Sequence, residues 1–583
     1  MTGNPRTPRL TPRVRAGPLT AAVTRGTSNP MLWAVLVAVP VFIAHVPSFF
    51  HRLLDGDEAI YASIAALMNL GGPLYAGGGV DNKPPGIFWV YAVTFRVFGM
   101  YQMTAIHVIA LLVIAATCLL IFLTGRRLAG ARVGILAAIF YGVMTGAGNP
   151  RLLAANTEAF MMLPLTASLL LMLRRQWLWS GLLLAAAGVF RQSAAVDLLL
   201  LPLAVGYLEP SERRLRASAL FIGGGAAGLL VGGALIALTG SLSGFWHWTV
   251  GILTQYASSN WAFVLSRAKD SVVPFVIDMA VLWVAAIAWA VRWKRLDSGQ
   301  RLIVAWLVLS VVGSLAGGHL SWHYFIQVMG PLALLAALAV DAALRTSMKK
   351  QVAWVVAIGI AVPAIGWCAY NVFADPLTYD FGPPVPQHDQ VAAYIRTHTN
   401  PGDRVFVWGD WPALYVESDR VMASRFPGFL RGFARGSQLP PNNWDTSPEV
   451  WPELKSDLER NPPVLIVDTA ASGWSDFSMY PMRNYPVLED FVTARYHLIT
   501  EVDGVAIYAL NPQGRLGGLG RAGSDGDGTV GGEGTFTGSV TGMLTGDVGR
   551  AGTAGDGTGT EPITGPTGDV ATLTGTPVAG AVS

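Results

Sequence analysis

The chain has few cysteines and few charged residues for its length. Only two cysteines, Cys118 and Cys368, occur among 583 residues, and both lie inside apolar runs. This excludes a disulfide framework and a cysteine-based metal site. Charged residues make up 13% of the chain, whereas hydrophobic residues make up 52%. A water-soluble domain usually carries about a quarter charged residues, so the composition indicates a polytopic membrane protein.

Both ends of the chain lack the residues that a folded domain needs. Residues 1–30 contain no acid, but they contain five arginines: Arg6, Arg9, Arg13, Arg15 and Arg25. We expect a disordered basic leader on the cytoplasmic side. Residues 511–583 are rich in Gly and Thr, with almost no large apolar side chains. We expect this stretch to be a disordered tail without chemistry of its own.

Residues 31–374 consist mainly of apolar runs that are long enough to cross a bilayer. Their lengths predict an α-helical membrane domain with about 11–13 spans, including a short membrane-dipping helix at Gly86–Phe98. Connectors rich in Arg and Lys alternate with connectors such as Ser241–Asp270 that have few basic residues. We expect the protein in the plasma or inner membrane of the cell. The positive-inside rule places the basic connectors, and therefore the N-terminus, on the cytoplasmic side of that membrane. Residues 50–86 and the C-terminal part then lie outside.

Residues 375–510 differ from the rest because paired prolines separate short β-type runs. The strand candidates are Val405–Trp408, Val464–Val467 and Val505–Leu510, and Gln387–Thr397 has helical spacing. This pattern predicts a small α/β domain outside the membrane.

The loop 50–86 concentrates charge in an otherwise apolar part of the chain. It holds the acids Asp55, Asp57 and Glu58, and later the turn Lys83-Pro84-Pro85-Gly86. The acids precede a helical pattern up to Leu70, which the sequence Gly71-Gly72-Pro73 should end. We expect an amphipathic helix on the outer membrane surface. A purely structural interpretation makes Asp55 the helix N-cap and Glu58 its capping-box partner.

The order of several short motifs is similar to that of a known enzyme family. The motifs are Gly56-Asp57-Glu58-Ala59 with Tyr61, Lys83-Pro84-Pro85-Gly86, Ala155-Asn156-Thr157-Glu158, Phe190-Arg191-Gln192, His323-Tyr324-Phe325, Val407-Trp408-Gly409-Asp410 and Ala423-Ser424-Arg425-Phe426. Together they resemble bacterial glycosyltransferases of the protein-mannosyltransferase and aminoarabinose-transferase type, which are family 39 enzymes with a GT-C fold. The resemblance covers most of residues 31–510.

The resemblance implies an enzyme that transfers a sugar from a polyprenyl phosphate to a hydroxyl group on the outer face, with inversion. The acceptor is a protein, lipid or polysaccharide, and no nucleic acid is involved. Asp57 would be the general base, with Glu58 beside it for orientation or metal binding. Lys83 and Arg191 would bind the donor phosphate. The substrate pocket would include Tyr61, Asn82, Glu158, His323 and Tyr324.

Three alternatives and one departure from the family pattern stay open at this point. The Asp55-x-Asp57 pattern resembles the D-x-D of metal-dependent transferases, so a divalent metal is one alternative, although two carboxylates alone are too few ligands. Asn82 replaces the acid that aminoarabinose transferases have before the lysine. Arg191 could instead be a structural partner of Asp197. In another functional class, a transporter or flippase of lipid-linked sugars would also use charged residues within the membrane.

Overall fold

A computed structural model describes residues 30–251, 261–377, 388–409, 411–428, 450–472 and 481–512. The predicted leader lies outside these residues except for Pro30, and the predicted tail except for residues 511 and 512. Asp410 of the Trp-Gly-Asp motif also lies outside them. The described residues of the membrane part and of the C-terminal part belong to one compact unit.

The membrane part is mainly helical in its described residues, as the apolar runs predicted. Among the described residues, five helices are long and apolar enough to cross a membrane: Met103–Ala129, Ser211–Thr239, Ser298–Leu315, Trp322–Ala343 and Lys349–Phe373. The pair Trp261–Asp278 and Ala280–Ala290, which is bent by 75°, gives a sixth if it forms one broken span. Shorter apolar helices are Ala34–Phe49, Gly86–Phe98, Ala131–Gly146, Thr157–Leu173, Trp177–Gly188 and Gln192–Leu208. A total of 11–13 crossings requires most of these shorter helices to cross as well, so that number stays a prediction.

The predicted connector Ser241–Asp270 is more helical than we expected. Within its described residues, Leu242–Phe245, Trp246–Gly251 and Trp261–Arg267 are helical. The last of these carries the apolar run Trp-Ala-Phe-Val-Leu and continues toward Asp278, so it belongs to the bent pair of helices.

The acidic loop forms the predicted helix, but most of that helix is buried against protein. The helix spans Gly56–Asn69 and is called the loop helix below. It ends at Gly71, whose φ of 91° lies in the left-handed region that glycine adopts without strain. Most of its side chains, from Glu58 to Leu67, are buried. The helix Gly86–Phe98 packs on one side of it and the C-terminal helix Ala413–Ser418 on another, so protein rather than lipid covers it.

The C-terminal part is an α/β domain, as predicted, and is called the outer domain below. The strands are β1 (Arg404–Trp408), β2 (Val421–Met422), β3 (Leu465–Asp468), β4 (Tyr496–Val502) and β5 (Val505–Leu510). They form one sheet with the order β2-β1-β3-β5-β4. Strands β2, β1 and β3 are parallel, and β5 runs antiparallel to β3 and β4. The helices are His388–His398, Ala413–Ser418, Val450–Arg460 and Pro486–Arg495.

Candidate active site

Asp55 is the N-cap of the loop helix. Its Oδ1 accepts a hydrogen bond of 3.0 Å from the backbone N–H of Glu58, as a capping aspartate does. Its Oδ2 accepts a second one of 2.6 Å from Nδ2 of Asn156. The side chain is only 2% exposed. The structural interpretation of Asp55 is therefore confirmed.

Glu58 is also used structurally, in a wider network than a capping box. Its carboxylate accepts hydrogen bonds from the backbone N–H groups of Leu54, at 2.8 Å, and Ala155, at 2.7 Å. His107 Nε2 lies 3.1 Å from the same carboxylate, whose side chain is fully buried. Glu58 thereby connects the loop helix to two other segments of the membrane part. These contacts agree with the orienting role that the resemblance implies for Glu58, and its oxygens already accept hydrogen bonds, which does not favour metal binding.

Asp57 has a different environment, because its carboxylate meets other candidate site residues. Its Oδ1 lies 3.2 Å from Nζ of Lys83, and its Oδ2 lies 3.4 Å from the hydroxyl of Tyr61 and 3.6 Å from Nε2 of His323. The Lys83 ammonium also lies 5.4 Å from the centre of the Tyr61 ring, within cation–π range. Of the three acids, Asp57 alone has an appreciably accessible side chain, with 23% exposed.

The pairing with Lys83 keeps both groups charged at neutral pH. Burial alone would raise the pKa of Asp57, but the charges of Lys83, His323 and Arg151 together hold it well below its usual value. Burial likewise lowers the pKa of Lys83, but Asp57 and Asp81 outweigh it and leave a net raised pKa. The site therefore offers a carboxylate that can accept a proton and an ammonium that can bind an anion.

Lys83 is held by Asp81, a residue that the sequence analysis did not select. Asp81 Oδ1 accepts a 3.2 Å hydrogen bond from the backbone N–H of Lys83 and lies 3.7 Å from its Nζ. The Tyr75 hydroxyl donates to the Lys83 carbonyl at 2.8 Å. Asn82 itself takes part through its backbone carbonyl, which accepts from Nε2 of Gln192 at 2.8 Å. An acid two residues before a turn lysine was an available signal for such an Asx turn.

Arg191 pairs with Glu158, and the alternative pairing with Asp197 is wrong. The Arg191 guanidinium forms an ion pair with Oε1 of Glu158 and lies 3.8 Å from the centre of the Tyr324 ring. Asp197 instead accepts a 3.3 Å hydrogen bond from Nε2 of Gln327. The chain is extended at Arg191 and becomes a 3₁₀ helix at Gln192–Leu199, so the two side chains do not share a face.

His323 lies between three carboxylates. Its Nε2 is 3.6 Å from Asp57 and 3.8 Å from Glu158, and its Nδ1 is 4.0 Å from Asp55. Its ring contacts the ring of Tyr324 edge to face, with 4.8 Å between the centroids. The structure thus gathers into one cluster the candidate residues Asp57, Lys83, Tyr61, Arg191, Glu158, His323 and Tyr324.

Arg151 is a second residue that the sequence analysis missed. It lies on the one-turn helix Pro150–Leu153, and its Nη1 is 3.5 Å from Oγ of Ser321. Its charge acts on both Asp57 and His323. The sequence around Arg151 contains no pattern that would have indicated its proximity to Asp57 and His323.

The carboxylates do not fit a divalent metal. Within the described parts of the chain, no group of three or more His, Cys, Asp or Glu side chains has a metal-binding arrangement. Both oxygens of Asp55 already accept hydrogen bonds, and Asp57 Oδ1 faces an ammonium. Hard cations need more oxygen ligands than these two aspartates provide. The metal site considered at Asp55 and Asp57 therefore has no support in this geometry.

Comparison with known proteins agrees with the predicted family resemblance. Residues 82–236 match the family described as dolichyl-phosphate-mannose-protein mannosyltransferase. The fold is similar to that of ArnT from Cupriavidus metallidurans bound to undecaprenyl phosphate, with 16% identity and a TM-score of 0.55, covering 83% of this chain and 99% of that one. It is also similar to the apo oligosaccharyltransferase of Archaeoglobus fulgidus, with 11% identity and a TM-score of 0.52, covering 83% and 74%. No curated protein sequence matches the chain.

These matches confirm the polytopic helical membrane fold and the resemblance to GT-C glycosyltransferases of the mannosyltransferase type. At these identities the structural matches carry the fold alone, and the matched family segment begins at Asn82, inside the acidic loop. The segment includes Lys83, Glu158 and Arg191. The roles of individual residues therefore depend on the geometry of the site.

Proposed function

We propose that this protein is an integral membrane glycosyltransferase that moves a sugar from a polyprenyl-phosphate donor to a hydroxyl acceptor. The observation that supports this most directly is the pairing of the accessible Asp57 carboxylate with the Lys83 ammonium at 3.2 Å. The pair lies in a loop between apolar helices, where a membrane lipid can bring its phosphate. The undecaprenyl phosphate bound to the similar ArnT is the kind of lipid carrier that the donor we propose would release after transfer.

Each half of this pair has one task in the reaction. A lone pair of the acceptor oxygen forms the new bond to C1 of the sugar while the acceptor proton passes to Asp57, and the O–H bonding pair stays on that oxygen. The bond from C1 to the phosphate oxygen breaks, and its electron pair leaves with the phosphate. Attack opposite the leaving phosphate inverts C1 and needs no carboxylate nucleophile. The departing anion needs a cation rather than an acid, and Lys83 supplies it.

The low basicity of Asp57 is compatible with this role. In an oxocarbenium-like transition state the acceptor hydroxyl becomes acidic as its oxygen bonds to C1, so a weak base suffices if the proton leaves late. A phosphate that binds Lys83 also shares the ammonium that Asp57 otherwise holds, which increases the basicity of Asp57. Donor binding thereby prepares the base for the acceptor.

Arg191 contributes a second positive charge, but its pairing with Glu158 gives it a less direct role than that of Lys83. Tyr61, Tyr324 and His323 surround the space beside Asp57 and form the donor-sugar side of the pocket. Asn82 contributes through its backbone. The distribution of Arg and Lys supports a reaction on the outer face. The acceptor hydroxyl there belongs, in this proposal, to a protein, a lipid or a polysaccharide.

The decisive experiment separates transfer from transport. Purified protein in detergent is incubated with a polyprenyl-phosphate sugar and candidate acceptors, and the product is identified by mass spectrometry. Sealed vesicles with the same protein are tested for movement of the lipid-linked sugar. Transfer in detergent that is lost in Asp57→Asn supports a transferase, whereas movement in vesicles without transfer would establish a flippase. Comparing outer-surface glycans from cells with and without the gene would identify the sugar and the acceptor.

A further inference from the structure

The turn that carries Lys83 is attached to the outer domain. The backbone N–H of Val80, three residues before Lys83, donates a 3.1 Å hydrogen bond to the carbonyl of Arg425. The Val80 side chain is fully buried. Asp81 and Tyr75 then hold the backbone of Lys83 as described above. The position of the ammonium is therefore connected to Arg425 through a short and well-bonded segment.

The Arg425 side chain makes this attachment point rigid. Its Nε and Nη2 donate to the two oxygens of Asp457 at 2.8 and 2.9 Å, and its backbone N–H donates to the same carboxylate at 2.9 Å. The Asp457 side chain is only 4% exposed. Bidentate charge-assisted bonds of this kind are strong and directional, and loss of one partner would leave a buried charge. The neighbouring Ala423 N–H donates to Val405 of β1, which joins the segment to the sheet.

A second contact leads from the same segment toward Arg191. The ring of Phe426 packs edge to face against Trp248, with 6.1 Å between the centroids, and both side chains are buried. The adjacent Thr249 carbonyl accepts a 3.4 Å hydrogen bond from Nε2 of Gln192, the amide that also donates to Asn82. One segment of the outer domain thus contacts the Lys83 turn directly and, through Trp248 and Thr249, reaches Gln192, the residue next to Arg191.

We propose that the outer domain is a positioning element of the active site, and that Arg425 sets the position of Lys83 through Val80. This inference rests on the proposed function, because it assumes that Lys83 binds the donor phosphate. A misplacement of about 1 Å can cost about 100-fold in rate, which shows how strongly a charged group depends on its position. A hydrogen bond three residues away can therefore control how well the Lys83 ammonium meets the donor phosphate. Arg425 touches neither Lys83 nor Asp57 in the contacts above, so it is a positioning residue and not a catalytic one.

The test is a double-mutant cycle between Arg425 and Lys83, read out as binding of undecaprenyl phosphate to the full-length protein. We expect Arg425→Ala to weaken binding about tenfold in the wild-type background and less than about twofold in the Lys83→Ala background. Arg425→Lys keeps the charge without the bidentate geometry and should give a smaller loss of the same kind. It replaces Arg425→Ala in the cycle if the alanine variant does not fold.

The matched control is Arg495→Ala. Arg495 forms an ion pair with Glu459 in the same domain, at 3.7 Å, but with both side chains nearly half exposed. This variant should leave binding unchanged. Equal losses from Arg425→Ala with and without Lys83, or no loss at all, would overturn the inference. A wild-type protein that binds the lipid no better than Lys83→Ala would instead remove Lys83 from the phosphate site of the proposed function, and the inference would fall with that assignment.

Discussion

Asp57 and Glu58 are adjacent in the chain, yet they lie in opposite kinds of environment. The Glu58 face of the loop helix is closed: its carboxylate is fully buried and accepts bonds from Leu54, Ala155 and His107. The Asp57 face is accessible and meets Lys83, Tyr61 and His323. Successive residues point about 100° apart around a helix, so adjacent acids reach different surroundings.

This difference shows why a pair of acids need not act as a pair. A buried carboxylate whose oxygens accept backbone hydrogen bonds stabilises the fold and has no position left for a substrate. A carboxylate that shares a cation and stays accessible can exchange that partner and accept a proton. The two faces should therefore respond differently to the same isosteric change from acid to amide.

The largest effect is expected from Asp57→Asn. The amide keeps the size of the side chain but cannot accept the acceptor's proton, so turnover should fall about 10²–10⁴-fold. The melting temperature should fall only modestly, because Asp55 and not Asp57 caps the helix and Asp81 still pairs with the Lys83 ammonium. Transfer rates and thermal unfolding of the purified variant provide the measurement. Turnover close to that of the wild type would remove Asp57 from the role of base.

Lys83→Ala should act on binding instead of on the proton transfer. Hydrogen bonds to charged groups contribute about 1.5–3 kcal/mol, so donor affinity should fall about 10–100-fold. Lys83→Arg should restore part of it, since a planar guanidinium does not replace a compact ammonium. Titration with undecaprenyl phosphate measures both variants. If Lys83→Ala binds the lipid normally, the phosphate site lies elsewhere.

Glu58→Gln should mainly lower stability, whereas Asp57→Asn should mainly lower turnover. A glutamine cannot accept from Leu54, Ala155 and His107 in the way that the carboxylate does, so one donor loses its partner in the buried network. We expect the free energy of unfolding to fall by about 1–3 kcal/mol. The fraction that remains folded should bind undecaprenyl phosphate normally. Unchanged stability together with lost turnover would return Glu58 to a catalytic role.

The pH dependence tests how Lys83 controls Asp57. In the wild type the net pKa of Asp57 is lowered, so its stabilising pairing is complete above the usual carboxyl pKa and is lost as the pH falls through the folded-state value. Without the ammonium, burial becomes the main influence and raises the pKa of Asp57. At saturating donor, the acidic limb of turnover in Lys83→Gln should therefore lie at higher pH than in the wild type. An identical limb in both proteins would contradict this coupling.

The smallest effect is expected from Asp55→Asn, because asparagine is as good an N-cap as aspartate. Its Oδ1 can still accept from the Glu58 N–H, and the amide of Asn156 can turn to accept from the new Nδ2. We expect a loss of less than about 1 kcal/mol in stability and nearly unchanged turnover. A drop in turnover comparable to that of Asp57→Asn would show that the cap also takes part in chemistry.

Local features could be predicted from the sequence because they depend on neighbouring residues. The loop helix, its capping aspartate and its glycine stop follow from short-range patterns between Asp55 and Pro73. The helical membrane part follows from the length of the apolar runs, and strands β1, β3 and β5 of the outer domain from their punctuation by prolines, whereas β2 and β4 were not predicted. The order of the motifs was sufficient to indicate the family resemblance and, through it, most of the residues that the structure brings into one cluster.

The sequence by itself thus determined the classes of structure and the residue types at the site, because hydrophobic burial and capping act over a few residues. Only the tertiary structure decided which partner each charge has. His323 meets Asp57, Arg191 meets Glu158 instead of the nearer Asp197, and Arg425 lies against the Lys83 turn. Such partners are separated by tens to hundreds of residues, and burial removes the water that would otherwise satisfy each charge. The packing of the helices and of the outer domain therefore selects the pairs.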